Sequence, residues 1–307
     1  MNLREWALPF YTILVQLALG AFISLWLIRT FAAAKYGKER VDHIIDNSVL
    51  VIFITIGAGM LGAHSHLSRP LQSIYAILNL RTSWLSREIL FNLLFFLTTG
   101  LLLSLQMTGK TSWRLKTALG WLAILLGSAN VYCMAHIYLL PTQAAWNTPI
   151  TILSFFTTAL LLGIMALASL QIMDLRYSEL RQLPKTELQA VVIQKSLRWM
   201  AAAAGFLALA IIAQQIYLLA SLSNNSLDTA QVSLSLLLQL YPILFALRLG
   251  ALILGVISMA LVAIWQARHQ KLVSSLLVPT YLTCLLVMVG EILGRFLFYA
   301  THVRLGI

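Results

Sequence analysis

The sequence predicts an all-α integral membrane protein of eight transmembrane helices, packed as two four-helix bundles. Composition is the first reason. Of 307 residues, 60% are hydrophobic and 10% charged, whereas roughly a quarter of a soluble domain is charged. The second is spacing. Apolar runs of about 20 residues, the length that crosses a hydrocarbon core, fall near 7–28, 48–66, 88–107, 115–138, 149–172, 199–221, 236–264 and 275–300. Together they occupy residues 1–307 as a single eight-helix domain.

The third reason is how the basic residues are distributed. A net charge of +11 does not indicate nucleic acid here, because the cations lie in loops and are not interleaved with stacking aromatics on a polar surface. Alternate loops hold Arg29, Lys35, Lys38 and Arg40; then Lys110, Arg114 and Lys116; then Arg176, Arg181, Lys185, Lys195 and Arg198; then Arg268 and Lys271. The opposite side holds only Arg4, Arg69, Arg81, Arg87 and Arg304. By the positive-inside rule the first set faces the cytoplasm, which puts both termini and the 66–88 connection outside.

The first run ends in Ala32-Ala33-Ala34, as a cleaved signal does. Ala7 to Ile28 is unbroken, however, and longer than the roughly 7–15 residues of a signal core, so it reads as a retained helix closed by Arg29 as a loop-flanking charge. Gly57, Gly59 and Gly62 in the second run permit close helix approach. His64 and His66 follow, two residues and therefore about 200° apart on a helix, so only one can face a given pocket. Leu71, Ile74, Tyr75 and Leu78 recur at helical spacing and describe a short amphipathic helix along the membrane surface. Thr82 or Ser83 can cap the third helix, Trp84 suits the aromatic belt, and Glu88 enters about its second turn. Segment 174–198 is expected as a long, solvated inner loop. The seventh run is over-long and contains Pro242, so it should begin with a turn before the true span. On the last run Glu291 and Arg295 lie at i and i+4, able to pair with each other or to face a cavity. Cys133 and Cys284 read as small buried hydrophobes, since no CxxC or metal spacing surrounds them.

With this topology Gln16, His66, Glu88, His136, Tyr138, Gln214, Arg248, Glu291, Arg295, Tyr299 and His302 all fall in the outer half of the bilayer. Intramembrane polar groups are costly and tend to line functional cavities. A one-sided cluster fits a pocket open near one leaflet better than a conduit across the membrane. An amphipathic quinol is one candidate ligand, because its oxidation requires acceptors for phenolic protons, and a His and a carboxylate can serve.

Four strings carry a resemblance. Ser65-His66-Leu67-Ser68-Arg69-Pro70, Leu80-Arg81-Thr82-Ser83-Trp84-Leu85-Ser86-Arg87-Glu88-Ile89, Glu5-Trp6-Ala7-Leu8-Pro9-Phe10 and Gly290-Glu291-Ile292-Leu293-Gly294-Arg295-Phe296-Leu297-Phe298-Tyr299 resemble the membrane-anchor subunit family of dimethyl sulfoxide reductase. More distantly they resemble the polysulfide reductase membrane subunit. The resemblance implies a subunit without its own haem or metal, which oxidises menaquinol or ubiquinol and passes electrons to a ferredoxin-type subunit bearing 4Fe–4S clusters. That subunit in turn serves a molybdopterin catalytic subunit. His66 and Glu88 match the family's functional positions and are expected to handle protons. Arg69, Arg81, Trp84, Gln16, Glu291, Arg295 and Tyr299 are expected to bind the quinone.

The same site could run in reverse, reducing quinone while a sulfur compound such as sulfite is oxidised. A secondary transporter is the rival from another class, but no matching pair of interrupted segments is visible. A di-haem cytochrome would need His64, His66, His136 and His302 to face one another at set depths. Reporter fusions check the orientation: a periplasm-active reporter should be active, and a cytoplasm-active one silent, at both termini.

Overall fold

The computed structural model describes residues 3–42, 46–65, 77–109, 111–184, 186–269 and 276–303, and every regular element among them is helical. In chain order these are α1 (Leu3–Tyr36), the short α2 (Lys38–Asp42), α3 (Asp46–Ser65), a 3-10 turn (Ile77–Asn79), α4 (Trp84–Thr108), α5 (Trp113–His136) and α6 (Pro149–Leu180). They continue with α7 (Thr186–Ser223), α8 (Asp228–Ser235), a π-helical turn (Leu236–Leu240), α9 (Pro242–His269) and α10 (Leu277–Ala300). Seven of them, α1, α4, α5, α6, α7, α9 and α10, are long and apolar enough to cross a membrane. The apolar part of α3, Asn47–Ala63, is shorter. In lipid the backbone must satisfy its own polar groups, which favours helix throughout.

Local chemistry sets several boundaries. The Ser83 hydroxyl accepts from the Ser86 amide at 3.2 Å and caps α4, which ends at Gly109 with φ 66. Ser112 caps α5 in the same way, and Pro149 occupies the first turn of α6, where its missing N–H costs nothing. The expected turn before Pro242 takes the form of α8 and the π-helical turn, since Pro242 can supply no amide to a preceding helix. Residues 66–76, which include most of the predicted amphipathic segment, lie outside the described residues.

Two expectations about the inner side are corrected. Segment 174–198 is mostly not loop: α6 runs to Leu180, α7 starts at Thr186, and a short connection around Gln182 (φ 53) joins them. Buried Asp174 explains the extension, because it accepts from Asn47 of α3 and, at 2.6 Å, from Gln189 of α7. Nor is Arg29 a loop-flanking charge. The helix α1 continues to Tyr36, and Arg29 is fully buried. Its guanidinium donates to Asp42 at 3.0 Å and to Thr117 at 2.9 Å, and lies 3.3 Å from the Trp113 ring centroid. Asp42 also binds the Lys116 ammonium at 2.6 Å. A shared carboxylate thus ties α1, α2 and α5.

At the centre α1 and α6 lie along each other. A methyl group at Gly20 would sit 1.8 Å from the Ala159 carbonyl oxygen, and one at Gly163 would sit 2.1 Å from the Gly20 backbone. These two helices therefore touch backbone to backbone. On one side α1 packs against α3 and α5, with α4 between them; on the other α6 carries α7 and α10, and α9 closes against both. Phe22 stacks on Trp26 at 5.3 Å and meets Phe95 edge-on, while the Trp26 indole fills the space left by Gly120.

Gly163→Val should cost at least about 1–3 kcal/mol through overpacking and lower the thermal midpoint in detergent. Gly205→Ala, with nothing within 4 Å of the added carbon, should leave it unchanged. Asp42→Asn, which removes the carboxylate shared by Arg29 and Lys116, should destabilise by about 3 kcal/mol in the same assay.

Candidate functional site

Two polar seams lie at the end of the helical body that holds the N-terminus of α1. The first runs between α1, α4 and α5. Because Ser83 caps α4, Glu88 falls in the second turn, where its side chain is only 4% exposed and adjoins the Tyr11 hydroxyl of α1. Asn92, one turn further along α4, donates to the Tyr11 oxygen at 3.2 Å, and its own carbonyl oxygen has no partner among the described residues. Asn130 of α5 is buried nearby. Glu88 makes no ion pair among the described residues. A buried carboxylate without a cation among the described residues is an expensive arrangement in an apolar body.

Above Glu88 the turn 80–87 is fixed by Arg87, which donates to the carbonyls of Leu80 and Arg81 at 2.8 Å each and lies 4.3 Å over the Trp84 ring. Trp84 also lies against His136, with ring centroids 4.3 Å apart, and meets Tyr132 edge-on. Arg81 itself is exposed.

The second seam lies between α1, α6 and α10. Arg295 donates to Gln16 at 2.7 Å, and its guanidinium lies 4.0 Å from the Phe155 ring and 5.6 Å from that of Phe298. Glu291 accepts from Thr158 at 2.6 Å. The intrahelical pair open to Glu291 and Arg295 is therefore replaced by partners on neighbouring helices. Tyr299 bonds Tyr138 through their hydroxyls at 2.7 Å. Both hydroxyls lie within electrostatic range of Glu88, which brings the two seams together around the upper half of α1.

A roof closes the second seam. Trp146 stacks on Phe298 at 5.1 Å and donates its indole N–H to the Phe298 carbonyl at 2.8 Å. Gln143 makes two bonds to the Val303 backbone, and Ser233 of α8 donates to the Thr301 carbonyl. The connection after Tyr138 carries no charge and gives no chemical signal in the sequence, yet it holds the end of α10.

Among the predicted residues, Glu88, Trp84, Gln16, Arg295, Tyr299 and Glu291 thus line adjoining seams, and Arg81 lies apart from them. His66 and Arg69 lie outside the described residues. Tyr11, Asn92 and Thr158 escape sequence reading as site residues. The i, i+4 spacing of Glu88 and Asn92 on one helix face was the available signal for Asn92. For Tyr11 and Thr158, only the packing of α1 and α6 supplies the partners. Among the described residues no group of three or more His, Cys, Asp or Glu side chains gathers as a metal would require, and Cys133 and Cys284 are free.

Long apolar helices around a buried polar seam define an integral membrane protein. The chain belongs to the DMSO reductase anchor subunit (DmsC) family, whose model matches residues 1–301. It is similar to YnfH of the anaerobic dimethyl sulfoxide reductase of Escherichia coli, with 28% identity over 312 aligned positions that cover 99% of this protein and 96% of that one. It is likewise 28% identical over 169 residues to the C subunit of the anaerobic dimethyl sulfoxide reductase of Haemophilus influenzae. That match covers 53% of this protein and 57% of the Haemophilus subunit.

Proposed function

We propose that this protein is the quinone-reactive membrane anchor of a molybdopterin oxidoreductase complex that oxidises quinol in anaerobic respiration, as a dimethyl sulfoxide reductase does. Its eight spans, α3 included, form two groups of four in the bacterial inner membrane, with both termini on the periplasmic side. The ferredoxin-type subunit and, beyond it, the molybdopterin subunit sit against this anchor and receive its electrons.

The observation that carries the reading is Glu88, a buried carboxylate beside a phenol and an amide, with an unpartnered Asn92 oxygen at the same place. A quinol hydroxyl can donate to that oxygen or to the carboxylate. Oxidation releases two protons and two electrons. Glu88 and His66 take the protons toward the periplasmic side, and the electrons leave to a 4Fe–4S cluster of the partner. The bound menaquinol or ubiquinol is the substrate, and no haem is required in this scheme. Tyr11 and Asn92 hold the carboxylate, Gln16 and Arg295 with Tyr299 form the far wall, Trp84 lies beside it, and Arg69 and Arg81 are assigned to binding the quinone. Glu291 braces that wall through Thr158.

The test separates quinol chemistry from assembly. In membranes carrying the whole complex, Glu88→Gln and His66→Ala should each lower quinol-driven reduction of an S-oxide or N-oxide by about a hundredfold or more. Reduction driven by a soluble dye, which bypasses the anchor, should stay at the wild-type rate. Wild-type quinol turnover in both variants would remove the site from this scheme.

A further inference from the structure

Arg248 is the observation that the quinol reading leaves unused. It lies about 9 Å below the start of α9, at 1.5 Å per residue from Pro242, and makes no hydrogen bond and no ion pair within the described residues. Its guanidinium lies against α10 at Gly294, where an added methyl group would fall 2.5 Å from Nε. A permanent cation at that depth is costly unless something compensates it.

A partly enclosed cavity of about 60 Å³ adjoins Arg248, lined also by Arg295, Glu291, Thr158, Gln215 and Ser154. Two guanidinium groups therefore face this space against one carboxylate, leaving an excess positive charge whether or not Glu291 is ionised. Glu291 keeps one carboxyl oxygen without a partner, and Arg295 spends one terminal nitrogen on Gln16. Hydroxyl and amide groups from Thr158, Ser154 and Gln215 complete a polar wall, with Leu218 and Leu237 on the apolar side. The cavity lies among α6, α7, α9 and α10, and Glu88 is not among its lining residues.

We propose that this cavity is a binding site for a phosphate-type oxyanion, either the headgroup phosphate of a phospholipid or free inorganic phosphate, held between Arg248 and Arg295. Planar guanidinium donors match the oxygens of such an anion, two per group. The anion neutralises the excess charge and satisfies the stranded Nε of Arg248. The side-chain amide of Gln215, on the same lining, can donate to a remaining oxygen. Glu291, the one like-charged neighbour, limits the affinity and makes the site reversible.

The experiment uses the full-length protein extracted from membranes with its native partners. Phospholipid retained through detergent washing is measured by mass spectrometry, and inorganic phosphate is titrated in parallel against the thermal unfolding midpoint. Arg248→Gln should lower lipid retention or phosphate affinity by about tenfold, the worth of one charge-assisted contact. Glu291→Gln, which removes the repulsion, should raise it, a direction that misfolding does not produce. Lipid loss in Arg248→Gln with no response to inorganic phosphate assigns the oxyanion to a headgroup, and the converse assigns it to the free ion. The proposal is overturned if wild-type protein neither retains phospholipid nor responds to phosphate, if both variants behave as wild type, or if Arg248→Gln releases quinone in place of phosphate.

Discussion

The backbone contact between Gly20 of α1 and Gly163 of α6 is the constraint on which the rest of the body depends. Helices in lipid gain little from hydrophobic burial against one another, so close approach must come from small residues that allow dispersion contacts over the backbone itself. Here the approach is tight enough that a single methyl group at either position would overlap main-chain atoms of the other helix. Because α1 and α6 are both central, this contact sets how far apart the helices around α1 and those around α6 can stand. It also sets the depth at which Gln16 meets Arg295 and at which Thr158 meets Glu291. Each of those bonds joins the central pair to α10 or passes through it.

Buried polar groups lie toward both ends of this body. At the lower end Arg29 and Lys116 share Asp42, and Asp174 accepts from two amides on separate helices. Satisfied networks of this kind fix the relative positions of α1, α2, α3, α5, α6 and α7. At the upper end lie Glu88, Asn92 and Arg248. There Glu88 lacks an ion-pair partner among the described residues, Asn92 keeps an unpaired oxygen and the Nε of Arg248 has no hydrogen bond; toward the lower end both amide atoms of Gln106 and of Gln266 likewise lack partners among the described residues.

The aromatic roof connects stability to access. Trp146, Tyr138, Phe155 and Phe298 surround Arg295 and the end of α10. Their rings can shield a guanidinium from lipid while leaving its N–H groups directed along the seam, since cation–π contact occupies the face of the group and not its edge. The arrangement gives Arg295 two roles at one position, a hydrogen bond toward α1 and a charge toward the cavity beyond.

Hydrophobic runs and loop charges are local properties, so the sequence alone determined the all-helical membrane class, the break before Pro242 and a cap at Thr82 or Ser83; the crowding of polar groups into one half did not hold, since Arg29, Gln106, Lys116, Asp174, Gln189 and Gln266 are buried toward the other end. The family motifs pointed to Glu88 in the same way, because they are contiguous strings. What the sequence could not determine depended on which helix stands beside which. Arg29 looked like a helix-ending charge until α2 and α5 brought Asp42 and Trp113 to it. Segment 174–198 looked like a loop because charges in a run are commonly solvated, whereas Asp174 finds its donors on α3 and α7. Glu291 and Arg295, neighbours on one helix, were free to pair until α1 and α6 offered each a different partner. Only tertiary structure decides such cases: a side chain's charge is written locally, but the group that satisfies it, or its absence, is set by helices far apart in the chain.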